Sequence, residues 1–284
     1  MKKAEFLLGA HMSIAGGVHL AIERACSIKC SAMQIFVKNN MQWFARPLTR
    51  PEIRAFREHA QRHELAAVFA HANYLINLAA TNPQFHANSL RALSEELTRA
   101  DQLGLPFIVL HPGAHLGAGE EAGLAKIVAS IDRIFARLPK VKTRIALETT
   151  AGQGTSLGHT FQHLADIIRN VRAPERLCVC LDTAHVFAAG HDLTSAAGTR
   201  KMLREFDRVV GLQHLVALHL NDSKTARGSR VDRHEQIGKG KIGLEAFRVM
   251  MRCRRFRKIP KVLETPTANN ILEDVENIRK LPEF

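Results

Sequence analysis

LCVCLDTAH, residues 177–185, is a short apolar run that ends abruptly in a carboxylate, Asp182, with an imidazole, His185, three residues further on. Seven more apolar runs lie along the chain, so the candidate strands are Phe6–Gly9, Ala32–Val37, Ala67–Ala70, Phe107–Leu110, Arg144–Leu147, Leu177–Leu181, Leu215–Leu218 and Lys261–Leu263. Between them stand longer stretches with helical periodicity, the sequence signature of βα units around a parallel sheet. Eight such units in 284 residues match a TIM (β/α)8 barrel in count and length. A doubly wound open sheet is the alternative, but no GxGxxG dinucleotide fingerprint follows the first run. No Pro/Ser-rich linker, low-complexity tract or short repeat interrupts the chain, so residues 1–284 are expected to form a single domain.

Composition narrows the class. With 46% hydrophobic and 24% charged residues the chain has an ordinary globular make-up and enough length for a large core. No run of about twenty apolar residues suggests a membrane span, and no apolar signal-peptide core follows the first residues, so a cytoplasmic location without membrane association is expected. Five cysteines, odd in number and without a CxxC pair, argue against a disulfide framework and against a thiolate zinc site. The net charge of +13 biases partners toward polyanions, of which nucleic acid is the commonest.

The chemistry lies just beyond each run, because a barrel assembles its active site at the C-terminal ends of its strands. VFAHANY supplies His71, IVLHPG His111, IALETTAGQG Glu148, CLDTAH Asp182 and His185, ALHLNDS His219, and KVLETP Glu264; the first run leads into His11 in GAHMS. A lone histidine at a strand end is ordinarily a hydrogen-bonded structural residue. Six consecutive strands ending in His, Asp or Glu are not explained that way. The loop after the seventh run, RVDRHEQIGKG (230–240), adds Asp232 and His234. Taken alone, this loop reads first as a solvated charged loop before a Gly-rich turn; in an extended segment, though, these two can turn to one side, toward a shared ion, and leave Arg230 and Arg233 for something anionic. Glu148, Asp182, Asp232 and Glu264 desolvated together need compensating cations. Imidazole and carboxylate without thiolate suits zinc, manganese or non-haem iron, and nine ligands imply two or three ions.

These residues resemble the endonuclease IV family of metal-dependent apurinic/apyrimidinic endonucleases. The resemblance runs nearly end to end and is carried by GAHMSIAGG, YLINLA, HPGAHLG, ETTAGQG, LDTAHVFAAGHDL, HLNDSKTARGSRVDRHEQIGKGKIG and LETP. It implies a xylose-isomerase-like TIM barrel with three Zn2+ per chain, Mn2+ being a possible substitute, acting as a monomer on double-stranded DNA with abasic sites. By position, His71, His111 and Glu148 would hold the first zinc. Glu148 would bridge to a second, held also by Asp182, His219 and Glu264, and His185, Asp232 and His234 would hold the third. Hydrolysis 5′ to the abasic sugar would leave a 3′-hydroxyl and a 5′-deoxyribose phosphate, with Glu148 the catalytic carboxylate.

The resemblance also points to DNA-facing loops after the second and third strands. Met41 stands where the family often carries an arginine that enters the base stack, and Tyr74 with Leu75 resembles its second wedge. The single tryptophan, Trp43, and the single tyrosine, Tyr74, both fall in these loops, which favours base or sugar contact. The basic run Arg252–Lys258 precedes the eighth strand and is expected at the opposite end of the barrel as a solvated face. A divalent-metal sugar isomerase or epimerase on the same barrel is the main rival, and a zinc-containing DNA-binding protein without catalysis is a second.

Overall fold

A computed structural model describes residues 6–63, 65–266 and 272–284. Its barrel strands are β1 (Leu8–Met12), β2 (Ala32–Phe36), β3 (Ala67–His71), β4 (Phe107–Leu110), β5 (Arg144–Glu148), β6 (Leu177–Asp182), β7 (Leu215–His219) and β8 (Lys261–Leu263). They pair in sequence order, every neighbour parallel, and β8 returns to β1 to close the barrel. No helix among the described residues is long and apolar enough to cross a membrane.

Two of the eight expected strands have the observed bounds, Phe107–Leu110 and Lys261–Leu263. Four others extend one residue further, to His71, Glu148, Asp182 and His219. These polar residues still lie in the ladder, with His71 opposite Val109, Glu148 opposite Cys180 and Asp182 opposite His219. A run that stops at the last apolar residue therefore stops one residue short, because the mouth of a barrel tolerates polar side chains that its interior does not. The second strand stops one residue early, at Phe36. The first is displaced, running from Leu8 through His11 to Met12. Gly9 sits inside it for a steric reason: a Cβ there would lie 1.7 Å from the carbonyl oxygen of Ala32 on β2.

Packing forms two layers. Phe69, Phe107, Val109, Ala146, Cys178, Cys180, Ala217 and Val262 fill the barrel interior, where the rings of Phe69 and Phe107 stack 4.8 Å apart. A second, larger core joins the outer strand faces to the helices. The helices that matter for the mouth are α1 (Leu20–Ser27), α2 (Arg50–Arg62), α3 (Pro83–Leu103), α4 (Glu120–Arg137), α5 (Phe161–Asn170) and α6 (Thr183–Ala188). Their starts are written in sequence. Thr49 and Glu52 form a reciprocal capping box on α2, while Asn82 caps α3, which ends at Gly104 with φ 81°. All five cysteines are free, and burial pushes the thiols of Cys178 and Cys180 up to about 12, so both are inert fillers of the interior.

The opposite end of the barrel carries an unusual group. Lys261 is fully buried at the start of β8, and its ammonium donates to the carbonyls of Phe256 (2.6 Å) and Ile259 (2.9 Å). Burial pushes its pKa down to about 8. The unfolded chain, with a lysine near about 10.4, binds more protons than the native state between these values, so this residue's contribution to stability grows as pH rises through that window. Urea unfolding at about pH 8 and about pH 10 is expected to show the wild type gaining on Lys261→Met across the interval. An unchanged difference would contradict the assignment.

Candidate metal centre

The Asp-Thr-Ala-His spacing has a local cause. Asp182 ends β6 and caps α6, its Oδ1 accepting the backbone N–H of His185 at 2.8 Å, so the third helical residue is folded back beside the capping carboxylate. Both side chains are buried. The loop after β7 is shaped by Asp222, whose carboxylate accepts N–H bonds from Gly238, Gly240 and Ile242 at 2.9–3.1 Å. A Cβ at Gly240 would come within 2.4 Å of that carboxylate, which accounts for glycine there. A two-residue ladder, Asp222–Ser223 against His234–Glu235, then directs His234 inward.

Three groups of potential ligands result, the donor atoms in each lying within 4.8 Å of one another: His71 with His111 and Glu148; Glu148 with Asp182, His219 and Glu264; and Asp182 with His185 and His234. Asp232 joins the last group, 3.1 Å from Nε2 of His185 and 3.3 Å from Nε2 of His234. Glu148 stands between the first two. Its Oε2 lies 3.1 Å from both His71 and His111, and its Oε1 lies 2.8 Å from His219.

Hydrogen bonds at the far side of four of the five rings set their tautomers. Nδ1 of His71 meets the Ala72 carbonyl at 2.7 Å, Nδ1 of His185 the Thr149 carbonyl at 2.7 Å, and Nδ1 of His234 the Glu264 carbonyl at 3.0 Å. A carbonyl only accepts, so Nδ1 carries the proton and Nε2 presents a lone pair to the cluster. His219 is turned the other way. Its Nε2 donates to Oε1 of Gln34 at 2.8 Å, leaving Nδ1 to face Glu148 and Glu264. Among the described residues the buried Nε2 atoms of His185 and His234 make no hydrogen bond. Lone pairs aimed at carboxylates with no proton between them fit a cation.

The electrostatics agree. Burial pushes the Glu148 carboxyl up, but His219, His111 and His185 outweigh it and hold it well below the usual carboxylate range. Burial likewise opposes ionisation of Asp232, yet His185 and His234 bring it down to about 2. Conversely, His185 and His219 are desolvated but are raised well above the ordinary histidine value, His185 by Asp182 and Asp232 and His219 by Cys180, Glu264 and Glu148. With side chains alone, protonated rings supply the positive charge that the carboxylates require; a cation in the cluster would replace those protons and take the freed lone pairs.

Four supporting residues lie outside the run of strand-end ligands that the sequence pattern marks. Gln34, fully buried on β2, donates to Glu264 at 2.6 Å while accepting from His219. Asn221 donates to Asp182 at 2.6 Å and accepts the backbone N–H of Glu264 at 2.8 Å. Thr149 accepts the N–H of Asp182, and Gln153 accepts the N–H of Asp232, both at 2.9 Å. Only Gln34 offers a readable signal, an amide inside the otherwise apolar run AMQIFV. His11 lies beside this network, its Nδ1 2.9 Å from Gln34.

The loops around the cluster are exposed. Met41 is 78% exposed and Tyr74 59%. The Tyr74 ring lies edge-on to Phe36 at 5.5 Å and 5.3 Å from His71, and Leu75 is half-buried beside it. Trp43 is also half-buried, packed on the core and edge-on to Phe85 at 5.0 Å. Arg230, in the left-handed region at φ 54°, and Arg233 are exposed on the loop that carries Asp232. Clefts of about 790 and 670 Å3 flank the mouth, the first lined by Tyr74, Phe85 and His111 and the second by His11, Lys38 and Asn40. In the Arg252–Lys258 run, Arg255 pairs with Asp207, just before β8.

A closed parallel barrel with histidine and carboxylate groups gathered at its C-terminal mouth defines a metal-binding TIM barrel of the xylose isomerase-like kind, and the family model of that description matches residues 22–284. A probable endonuclease 4 from Geobacter sulfurreducens is 48% identical over 274 residues, covering 96% of this chain and 93% of that protein. The crystal structure of endonuclease IV from Thermus thermophilus superposes with a TM-score of 0.85 at 34% identity, covering 97% of each chain. A D-tagatose 3-epimerase-like protein superposes at 0.76 with 18% identity, covering 98% of this chain and 96% of its own, a likeness of fold alone. The chain belongs to the endonuclease IV family, and it is a nuclease.

Beneath the two exposed loops lies a buried ion pair. Lys38 Nζ is 2.9 Å from Glu96 Oε1 and donates to the Gln42 carbonyl at 2.6 Å. The other Glu96 oxygen accepts the N–H of Asn73 at 3.0 Å, and the Asn73 amide reaches the same Gln42 carbonyl at 2.8 Å. Helix α3 thus ties the Met41 loop to the Tyr74 loop. Lys38→Met is expected to cost about 3–5 kcal/mol, because it leaves the buried Glu96 carboxylate without its counter-charge. Equilibrium denaturation would show it; a loss below about 1 kcal/mol, the range of an exposed pair, would contradict it.

Proposed function

We propose that the protein is a zinc-dependent endonuclease that hydrolyses the phosphodiester 5′ to an abasic site in duplex DNA, leaving a 3′-hydroxyl and a 5′-deoxyribose phosphate. The observation that supports this best is the convergence of nine His, Asp and Glu side chains on one mouth, with Glu148 turning an oxygen to each of two groups. His71, His111 and Glu148 would hold one zinc, with Glu148 shared by a second held by Asp182, His219 and Glu264. His185, Asp232 and His234 would hold the third. Imidazole nitrogen and carboxylate oxygen are donors that zinc accepts readily and manganese can share. Such ions supply acidified water near neutral pH and neutralise charge developing on a phosphoryl group and its leaving oxygen.

The chain's own residues do the rest. Glu148, with both oxygens engaged and its charge sustained by three imidazoles, is suited to orient an attacking water. Gln34, Thr149 and Asn221 hold the ligands in place from behind, which limits reorganisation during the reaction. Arg230 and Arg233 reach solvent beside the third group, where a DNA phosphate would lie. Met41, Trp43, Tyr74 and Leu75 form the surface toward the duplex, with the exposed Met41 and Tyr74 able to enter a base stack weakened by a missing base. The net charge of +13 favours the polyanion over a neutral sugar. We read the chain as one domain acting as a monomer.

Incubation with a duplex containing one abasic site, beside an undamaged duplex and a ketose, tests this function. Incision of the abasic strand alone, with 3′-hydroxyl ends, is expected. Epimerisation of the ketose without incision would overturn it. Glu148→Gln is expected to keep DNA affinity within a few-fold while single-turnover cleavage falls by about three orders of magnitude or more, as for loss of a centrally placed catalytic group. Near-normal cleavage with the metal retained would contradict that role. Tyr74→Ala should weaken binding to the abasic duplex more than to the intact one, and paired affinity measurements with equal losses would reduce Tyr74 to a general contact.

A further inference from the structure

A fourth group of metal-type donors stands outside the mouth, behind the loop that follows β5. Glu120 opens α4, His159 lies just before α5 and His163 is in the first turn of α5. Their donor atoms lie within 4.8 Å of one another, as do those of the three groups of the mouth. Both rings converge on one carboxylate: Nε2 of His159 is 3.5 Å from Oε1 of Glu120, and Nε2 of His163 is 3.3 Å from Oε2. The rings stand nearly perpendicular, 85° apart, with centroids separated by 4.7 Å. Charge-assisted hydrogen bonds between such groups close to about 2.7–2.9 Å. Ligands on a tetrahedral ion with bonds of about 2.0–2.1 Å are instead about 3.3 Å apart.

His159 repeats the pattern of the mouth ligands. Its Nδ1 meets the Ser156 carbonyl at 2.9 Å, so the proton is fixed there and Nε2 faces Glu120 with a lone pair. His163 differs, because Nδ1 accepts the N–H of Gly158 at 3.2 Å and Nε2 therefore holds the ring proton, which it donates to Glu120 in a long bond of 3.3 Å. An ion taking Nε2 would shift that proton to Nδ1 with loss of the Gly158 contact, which makes the site weaker than those of the mouth. The histidine side chains are 9% and 8% exposed, whereas Glu120 is 52% exposed, so the open face admits water as the remaining ligand.

We infer that Glu120, His159 and His163 form a further, lower-affinity site for a borderline divalent ion such as zinc. Its position gives it a structural role. A Cβ on Gly152 would lie 3.0 Å from Cβ of His159, and the next residue, Gln153, accepts the N–H of Asp232. An ion joining the starts of α4 and α5 to this loop would stiffen the support of the Asp232 ligand. Two imidazoles favour zinc over magnesium, which prefers oxygen donors.

The test is calorimetric titration of zinc chloride into zinc-replete protein, wild type and variants side by side, so the difference reports this site whatever the mouth contains. One further equivalent is expected in the wild type, weaker than the zinc already held, and absent from His159→Phe and from the exposed-residue variant Glu120→Gln. Added zinc should also raise the melting temperature of the wild type and not of the variants, through preferential binding to the native state. Magnesium should produce neither effect. No further equivalent in the wild type, or uptake of unchanged affinity by Glu120→Gln, would overturn the inference.

Discussion

Four carboxylates brought together at the mouth of the barrel cannot all remain ionised without positive charge among them, and the surrounding structure is arranged to meet that constraint. Glu148, Asp182 and Glu264 come from the ends of three different strands, and Asp232 comes from the loop after a fourth. Glu148 and Asp182 are fully buried, where an isolated carboxylate would protonate rather than stay charged. Imidazoles surround them, and those of His185 and His219 are made less acidic in return. A cluster so coupled is a poor stabiliser of a fold. Its presence at a solvent-facing mouth points to chemistry rather than to packing.

The fold makes the cluster tolerable by confining irregularity to one end. The interior below it is closed by Phe69, Phe107 and small side chains, and the outer helices supply the remaining apolar burial. Polar support comes from behind the ligands, through backbone carbonyls for three histidines and the Gln34 amide for the fourth. The exposed loops are held from below by the Lys38–Glu96 pair and by Arg99, which donates to the carbonyls of Val37 and Arg46. Met41 and Tyr74 therefore project from anchored backbone.

Much of this is legible in the sequence, for physical reasons. Eight apolar runs point to the barrel because each strand must be apolar to pack on both sides, and the ligands are visible because each interrupts its run at the mouth. Strand ends are read one residue short for the same reason: His71, Glu148, Asp182 and His219 are polar yet remain in the ladder. The first strand is displaced further, since Gly9 reads as a terminator while its role is close approach to β2. The supporting residues are hidden differently. Asn221 and Thr149 lie close to ligands in the chain and carry no pattern, and Gln34 acts on His219 from 185 positions away. The Glu120–His159–His163 group draws on two segments that no periodicity connects.

The proposed function rests on three divalent ions that would balance the mouth and make it a nuclease for abasic DNA. The most direct measurement is the recovery of incision on an abasic-site duplex as zinc is added back, in counted equivalents, to chelator-stripped protein. Negligible activity is predicted without metal, with a rise that reaches its plateau near three equivalents per chain. Full incision at one equivalent, or undiminished incision by the stripped protein, would contradict it.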